Sequence, residues 1–338
     1  MKRQNISLTT LALYDNLLLA IWKAAKGKQQ RGDVRAFLSN IDSNIKKLAE
    51  SILLHQAPVG LYKHFYINDP KRRLIHAACF QDRILHHAIL NLTEATFEKS
   101  LIYHSYACRP NKGAHRAVKQ VQKNIQRYSW FVKVDISGYF PSIHHQTLMS
   151  LLETRFKGEE FLALLHRIID SYHMSQGFGL PIGSLSSQHF ANFYLNDADR
   201  YLQQHPYVRA MVRYMDDTIW WCDSKKQAKQ VLQDYRIMLL ETRKLTIKPT
   251  LQINQSQRGV SFCGYRILKG SLRLTLRKQR RYKALLQSWE KQWSRGSIDD
   301  LKLQQSHDAV IAPLLFCDSL AWRKQCLQFL GSRYIDDE

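Results

Sequence analysis

Three aspartates are the residues whose type and spacing point most directly to chemistry. Asp216 and Asp217 are adjacent and lie between two apolar runs within residues 207–223. That pattern predicts a β-hairpin with the acids at its tip. Asp135 follows another apolar run, residues 130–134, and would end that strand in the same way. Carboxylates flanked by apolar strands repel each other and lose hydration, so we expect them to share a cation or to face solvent.

Divalent-metal catalysis is the chemistry that such a trio supports. If the strand ends meet, the three acids could hold two Mg²⁺ ions about 3.5–4 Å apart, and oxygen ligands suit this ion. The ions would activate an attacking 3′-hydroxyl and stabilise a leaving pyrophosphate. An isolated Asp-Asp pair is also typical of an exposed hairpin turn, so further motifs must decide between the two.

The composition favours a polyanionic partner. The 338 residues carry 50 Lys and Arg against 28 Asp and Glu, a formal charge of +22. A surface charged only for solubility usually mixes both signs, so nucleic acid is the first candidate. The six cysteines form no CxxC pair and no metal-ligand spacing, which indicates neither a disulfide framework nor a zinc module and fits a reduced cytoplasmic setting.

The elements that must position the acids form a mixed α+β layout. Residues 1–58 predict helices with a polar break at 26–33 and a stop at Pro58. The apolar stretch 8–22 superficially resembles a signal peptide, but an amphipathic helix explains it better, and no other run approaches membrane-spanning length. The face expected to be buried carries Leu11, Tyr14, Leu18 and Ile21.

Further along the chain, helical spacing alternates with strand patterns. Five apolar positions predict a helix over residues 75–89: Ile75, Cys79, Ile84, Leu85 and Ile89. We then expect a strand at 131–136, helices at 145–155 and 186–203, and two strands around 215–217. After Gly270 come a basic helix, a break at Gly296 with a capping box from Ser297 to Asp300, and a final helical segment.

Three stretches resemble the motifs of reverse transcriptases, in the expected order. VKVDISGYFPSIHHQTL, which contains Asp135 and Phe140, resembles the first catalytic motif, and RYMDD at 213–217 resembles the third. GLPIGSLSSQHFANFYLND at 179–197 resembles the motif between them, which shapes the template and nucleotide pocket. HSYACRPNKGAH at 104–115 is similar to a fingers motif, and FCGYRI at 262–267 to the primer-grip hairpin. The resemblance covers about residues 60–335.

The resemblance implies a right-hand polymerase fold of class α+β. Its parts would be an N-terminal helical extension (1–58), fingers (59–128), a palm of antiparallel sheet backed by helices that includes part of the fingers (129–270), and a helical thumb (271–338). Asp135, Asp216 and Asp217 would be catalytic and, with Ile136, would bind two Mg²⁺ ions. The residues implied for nucleotide binding are Arg109, Phe140, Ile182, Gly183, Gln188 and Lys248.

Two of these residues have specific implied roles. Arg109 would hold the triphosphate, since a guanidinium binds phosphate in a bidentate manner, although it could be a surface cation instead. Phe140 would lie under the deoxyribose and exclude a 2′-hydroxyl, or else serve as a core aromatic residue.

The middle motif departs from the usual family pattern. Most reverse transcriptases carry Gln-Gly at its start and Ser-Pro at its end, whereas this chain has Ile182-Gly183 and Ser187-Gln188. This variant resembles the mutagenic enzymes of diversity-generating retroelements, which misincorporate opposite template adenines. An alkyl group in place of an amide removes hydrogen bonds beside the nascent base pair, which predicts lower fidelity. The alternative is a neutral substitution in a group II intron or retron enzyme.

The basic helix at 272–293 would be the thumb, which follows the template-primer duplex through phosphate contacts. A solvated helix face is the alternative. The basic residues implied in template-primer binding are Lys71, Arg73, Arg277, Lys278, Arg280 and Arg281, and those expected on the packed face of the helix are Leu285, Leu286, Trp289 and Trp293.

The resemblance also implies the partners of the chain. They would be template RNA, a cDNA or primer, deoxynucleotides and a basic, ring-forming accessory variability protein, in the cytoplasm of a bacterial or phage-infected cell and without a membrane. No RNase H or endonuclease domain is expected. A catalytically silent RNA-binding scaffold is the competing class, and the intact acids argue against it.

Overall fold

The first third of the chain is mainly helical. The computed structural model describes residues 2–68 and 72–326, and no helix there is long and apolar enough to cross a membrane. Its elements in this part are strand β1 (Gln4–Asn5), helices α1 (Leu8–Leu11), α2 (Tyr14–Ala25), α3 (Gly32–Leu38) and α4 (Ile41–Leu53), strands β2 (Tyr62–Ile67) and β3 (Arg73–Ala78), and helices α5 (Phe80–Ser100) and α6 (Ala114–Arg127).

Strands and helices alternate in the middle of the chain. These elements are β4 (Trp130–Val134), α7 (His145–Glu153), β5 (Phe156–Lys157), α8 (Glu159–Asp170), α9 (Leu185–Tyr194), α10 (Asn196–Gln204), β6 (Ala210–Tyr214), β7 (Asp217–Cys222), α11 (Lys225–Arg243) and β8 (Gln252–Gln255). A small sheet and two helices follow: β9 (Val260–Phe262), β10 (Tyr265–Ile267), β11 (Leu272–Leu274), α12 (Leu276–Ser294) and α13 (Asp300–Ile311).

A four-stranded antiparallel sheet in the order β6-β7-β4-β8 forms the centre of the fold. Val134 lies opposite Thr218, and Tyr214 lies opposite Asp217. Because β4 and β7 are antiparallel, the end of β4 meets the beginning of β7. This register places Asp135 beside the turn that carries Asp216 and Asp217, as the strand pattern predicts.

Successive tryptophans on β7 pack on opposite faces of this sheet. Trp220 belongs to the larger core and packs edge-on against Tyr235 of α11, with ring centroids 5.5 Å apart. Trp221 belongs to the second core, beneath α6 and the β9–β11 sheet. Side chains on a strand alternate between faces, so a strand covered on both sides is apolar throughout. This explains the apolar run from Ile219 to Cys222 in β7.

Several local predictions were wrong. Ile75 lies on strand β3, which pairs with β2, and the helix begins only at Phe80. The helix expected at 186–203 is divided at Leu195 into α9 and α10. Asp299, and not Ser297, caps α13 by accepting a hydrogen bond from the Lys302 amide at 2.7 Å.

Two aromatic side chains expected on packed faces are exposed. Tyr14 is 47% exposed and donates a hydrogen bond to Asp42 at 2.6 Å. Trp293 is also 47% exposed, and its indole donates to Asp300 at 2.6 Å. Both rings have a polar atom that finds a partner at the surface, so their apolar character alone did not decide their position.

Candidate active site

A cavity of about 790 Å³ opens at the end of the central sheet where the three acids lie. We call Asp135, Asp216 and Asp217 the acid trio. The wall combines strand ends, the 3-10 turn at Phe140–Ser142, the loop before α9 and strand β3. The predicted site residues that line it are Arg73, Asp135, Ile136, Phe140, Ile182, Asp216, Asp217 and Lys248. Residues from distant parts of the sequence therefore converge on one space.

The hairpin that carries two of the acids has a tight, strained turn. Tyr214 pairs with Asp217, so only Met215 and Asp216 form the loop. Met215 has φ 57°, a left-handed conformation that is unfavourable for a residue with a side chain. Such strain persists only where the surroundings hold the backbone in place.

A buried arginine provides that restraint. Arg213 donates a hydrogen bond from Nη1 to the Met215 carbonyl at 2.8 Å. The same guanidinium pairs with Asp199 at 2.6 Å and contacts both the side chain and the carbonyl of Asn192. Arg213 and Asp199 are completely buried. Helices α9 and α10 thus hold this hairpin turn through the single side chain of Arg213.

Sequence reasoning missed this network. One signal was available, because Arg213 is a lone cation within the apolar strand β6 and buried charges are almost always paired. The identity of its partners on α9 and α10 depends on tertiary packing, which the strand pattern does not contain.

Burial dominates the electrostatics of the acid trio. Burial, followed by a hydrogen bond shared with the Asp135 carboxylate and by repulsion from it, raises the pKa of Asp216 to about 7. Burial also raises the pKa of Asp217 to about 6, although Lys133, 3.1 Å away, acts in the opposite direction. Asp135 accepts a hydrogen bond from Lys248 at 2.6 Å. Burial and the closeness of the three carboxylates therefore both disfavour their ionised forms.

The trio has the donor chemistry of a site for a hard divalent cation. The Oδ1 atoms of Asp135 and Asp217 are buried and have no hydrogen-bond partner in the described part of the chain. Buried polar atoms are rarely left unsatisfied, and oxygen ligands suit Mg²⁺ and similar ions. Among residues 2–68 and 72–326, no three acidic, histidine or cysteine side chains already stand in a metal-binding arrangement. Lys133 and Lys248 each hold one oxygen of the trio instead.

Arg109 lies away from the cavity, contrary to its implied place beside the triphosphate. Its guanidinium pairs with Glu98 at 2.7 Å and donates to the carbonyls of Ile102 and Ser105. The side chain is only 5% exposed, so it is not a surface cation either. It links the loop after α5 back to that helix, and most of its donors are already used.

The other residues of the middle motif fall in different places. Ile182 lines the cavity, and its carbonyl accepts a hydrogen bond from the His76 amide at 2.8 Å. Gly183 has φ +108°, and a Cβ there would lie 2.7 Å from Ile75, so only glycine fits. Gln188 does not line the cavity; its Oε1 lies 3.4 Å from the Cys108 thiol.

The basic residues assigned to template and primer are also spread out. Arg73 lines the cavity, and Lys71 lies outside the described residues. Arg277, Arg280 and Arg281 are exposed on α12, as expected for phosphate contacts. Lys278 is different, because its ammonium lies 4.0 Å from the ring centroid of Tyr265 and contacts the Cys263 carbonyl. Lys278 therefore joins α12 to the small sheet.

A protein-family comparison agrees with this geometry. The family described as "Reverse transcriptase (RNA-dependent DNA polymerase)" matches residues 67–267, more than half of the chain and all of the acid trio. The chain belongs to the reverse transcriptase family. Reverse transcriptase domains generally use divalent metal ions, which suits the oxygen donors of the trio.

Two of the relatives of this reverse transcriptase chain have names that refer to introns. It is 28% identical to Protein YkfC of Escherichia coli over 47% of this chain and 44% of that protein. It is 27% identical to the group II intron-encoded protein LtrA of Lactococcus lactis over 48% of this chain and 29% of that protein. Nuclear intron maturase 1 of Arabidopsis thaliana is 26% identical over 32% of this chain and 17% of that protein. The matches thus span less than half the length of each of these curated relatives.

The raised pKa of Asp216 predicts a pH-dependent stability. The folded protein binds this proton more tightly than the unfolded chain, so the stabilisation is complete below about pH 4 and is lost as the pH rises through about 7. Asp216→Asn cannot ionise and should raise the free energy of unfolding at pH 8 by up to about 4 kcal/mol, at roughly 1.4 kcal/mol per pKa unit. Urea denaturation of metal-free protein at pH 4 and pH 8 measures this difference. The exposed Asp308→Asn should change neither value, and an equal gain for Asp216→Asn at both pH values would contradict the explanation.

The Arg213 network predicts that stability and activity can be separated. Arg213→Met alone leaves Asp199 buried and unpaired and should cost about 3–5 kcal/mol of stability. The double variant Arg213→Met/Asp199→Leu removes both charges and should recover most of that loss, yet nucleotide incorporation should stay at least about 10-fold low because the Met215 carbonyl remains unrestrained. Urea denaturation and single-nucleotide incorporation measure the two effects. Activity that returns together with stability would show that Arg213 only neutralises Asp199.

Proposed function

We propose that this chain is an RNA-directed DNA polymerase that extends a primer by two-metal catalysis with Mg²⁺. The observation that carries this proposal is the convergence of the acid trio, with two unsatisfied carboxylate oxygens, in one large cavity. Asp135, Asp216 and Asp217, with the backbone at Ile136, would hold the ions. Bound Mg²⁺ would supply Lewis-acid activation of the primer hydroxyl and of the leaving pyrophosphate.

The cations around the cavity would bind the triphosphate. Lys248 and Arg73 both line the cavity, whereas the donors of Arg109 are engaged elsewhere. The Lys248 side chain is 34% exposed, and its ammonium forms an ion pair with Asp135. The ammonium can therefore rotate to a phosphate oxygen without crossing the core. We therefore assign the triphosphate to Lys248 and Arg73 in place of Arg109.

Phe140 would select deoxynucleotides. Its ring is half-buried and lines the cavity, and its carbonyl is fixed by a hydrogen bond from the Leu180 amide at 2.9 Å. A bulky ring held in this position beside the sugar would clash with a 2′-hydroxyl. The ring also packs against the main hydrophobic core, which would hold it in this position.

The fold would correspond to a right hand. The central sheet with its flanking helices would be the palm (129–270), the β2–β3 hairpin with α5 and α6 the fingers (59–128), and α12 with α13 the thumb (271–338). The helices before residue 58 would form the N-terminal extension. Exposed arginines on α12 would follow the phosphates of the template-primer duplex.

We further propose that the enzyme is mutagenic, as in diversity-generating retroelements, with a basic accessory protein as partner. Ile182 lines the same cavity as Phe140, and its side chain offers no hydrogen bond to a base pair. Its position is tightly set, because the next residue is a glycine with no room for a Cβ. The competing function is that of a group II intron-like or retron-type enzyme, and the likeness to a group II intron-encoded protein and to an intron maturase supports it.

The first experiment tests polymerisation itself. The full chain is given an RNA template, a DNA primer and deoxynucleotides with and without Mg²⁺. We expect extension only with Mg²⁺, and Asp216→Ala should reduce it at least about 1,000-fold because a metal ligand is lost. Asp223→Ala, an exposed acid at the other end of β7, is the matched control and should remain active. Extension by the Asp216→Ala variant at the normal rate would refute the proposal.

Ribonucleotide use by Phe140→Ala in the same assay tests the sugar selection.

The second experiment tests the mutagenic role. Ile182→Gln restores a hydrogen-bonding amide beside the nascent base pair and should lower errors opposite template adenine several-fold while extension continues. Sequencing of the cDNA from both proteins measures the error spectrum, with Ile182→Val as the alkyl control. Identical spectra for the parent protein and Ile182→Gln would exclude this role for Ile182 and favour the intron-type alternative.

A further inference from the structure

Two small polar cavities lie side by side, far from the acid trio. One has a volume of about 310 Å³ and the other about 290 Å³, and Arg127 and Tyr128 line both. Trp130 lines the first cavity and begins strand β4, whereas Asp135 follows the other end of that strand. Five residues of strand span roughly 17 Å at 3.3–3.4 Å per residue. The cavities therefore belong to the opposite end of the central sheet from the catalytic cavity.

Each cavity contains a buried polar group that lacks a partner. The Ser256 hydroxyl lines the first cavity; the residue is 3% exposed and its Oγ makes no hydrogen bond within the described residues. The amide of Asn124 lines the second; this residue is also 3% exposed, and its Nδ2 has no acceptor there. A buried donor without a partner is costly, so both groups are suited to bind a ligand or ordered water.

The charge around the cavities is positive. Neither cavity is lined by an acidic side chain of the described chain. Arg127 contributes to both walls and Lys269 to the first, and both side chains are exposed. No ion pair joins either cation to an acid within residues 2–68 and 72–326. Such a surface attracts an anion and repels a basic peptide.

The remaining lining groups suit a nucleotide better than a simple anion. Tyr128 and Trp130 supply aromatic surface at the first cavity, and its other polar residues carry amides and hydroxyls that can both donate and accept: Gln126, Ser129, Gln255 and Gln257. Unpaired RNA is recognised by aromatic stacking, by hydrogen bonds to base edges and by cations at the phosphates. All three kinds of group are present within one cavity of about 310 Å³, at the lower end of the size range for ligand sites.

We propose that the two cavities form a groove for two consecutive unpaired nucleotides of an RNA strand. Arg127, which the cavities share, would contact the phosphate between the two nucleotides, and Lys269 a neighbouring phosphate. This inference rests on the proposed function, because an enzyme that copies RNA gains from holding a part of the RNA that is not being copied. The groove lies at the far end of β4, so it can be occupied while a template-primer fills the catalytic cavity.

Binding of a short RNA tests the groove. The full chain is first saturated with an RNA-template/DNA-primer duplex, and a fluorescent, unstructured 12-nucleotide RNA is then titrated by anisotropy. Arg127→Gln/Lys269→Gln should weaken this second binding about 10-fold and reduce the slope of log affinity against log salt by about 1.4, which corresponds to two phosphate contacts on a single strand. The matched control, Lys46→Gln/Lys47→Gln on α4, removes the same charge from another exposed surface and should change affinity less than about 2-fold.

Two further variants separate a specific groove from a general charge effect. Ser256→Ala removes the unpartnered hydroxyl without changing charge and should weaken binding about 3-fold or more, whereas Ser288→Ala on exposed α12 should not. Thermal denaturation of each variant establishes that it is folded. A photoreactive 4-thiouridine in the probe should crosslink to the peptide that contains Tyr128 and Trp130.

Each result has a definite consequence. Equal losses for the groove variant and the Lys46/Lys47 control, or crosslinks only to other peptides, would overturn the groove. Absence of second-site RNA binding in the parent protein would also overturn it. Primer extension by the parent protein is measured in parallel, so a failed groove with normal extension leaves the polymerase proposal intact. If primer extension fails but the RNA still crosslinks at Tyr128, the polymerase proposal fails and the groove stands.

Discussion

Burial of the acid trio is the constraint on which this structure depends. Three carboxylates stand at the end of an apolar sheet, where burial, together with the neighbouring acids, lifts the pKa of Asp216 to about 7 and, against the opposing effect of Lys133, that of Asp217 to about 6. Each unit of such a shift corresponds to roughly 1.4 kcal/mol, which folding must supply from elsewhere. The antiparallel register of β4 and β7 and the packing of Trp220 and Trp221 on both sheet faces are what keep the acids together.

The buried Arg213–Asp199 pair shows how the fold maintains the strained turn at Met215. An ion pair so deeply buried adds little stability by itself, since desolvation offsets the attraction. Its guanidinium nevertheless fixes three groups in defined directions: the Asp199 carboxylate, the Asn192 amide and the Met215 carbonyl. The planar fork of an arginine can do this, whereas a lysine could not. The pair therefore contributes geometry more than stability.

The sequence predicted what is local and missed what depends on tertiary partners. Asp135 and the hairpin acids could be placed together because each follows a strand whose pairing was visible in its apolar pattern. Ile75 was misplaced because a short apolar run fits a strand and a helix equally well, and its pairing with Phe65 of β2 decided the matter. Arg109 was assigned by motif, but its position depends on Glu98 of α5, eleven residues earlier in the chain and brought close only by folding. For the same reason the sequence did not reveal the network around Arg213, whose partners lie on α9 and α10.

The distribution of charge along strand β4 gives the two ends of the central sheet different chemistry. The overall charge of +22 attracts a polyanion, yet the acid trio at one end of β4 repels phosphate unless cations offset it. Lys133 and Lys248 provide part of that offset in the protein itself, and each is held by the acid that it neutralises. At the other end no acid of the described chain pairs with Arg127 or Lys269, so a phosphate there would need no added cation. An RNA strand can thus be held at one end of β4 by the protein alone, whereas productive approach at the other end depends on cations supplied with the nucleotide. This asymmetry would let the enzyme retain its RNA while the catalytic cavity releases pyrophosphate and admits the next nucleotide.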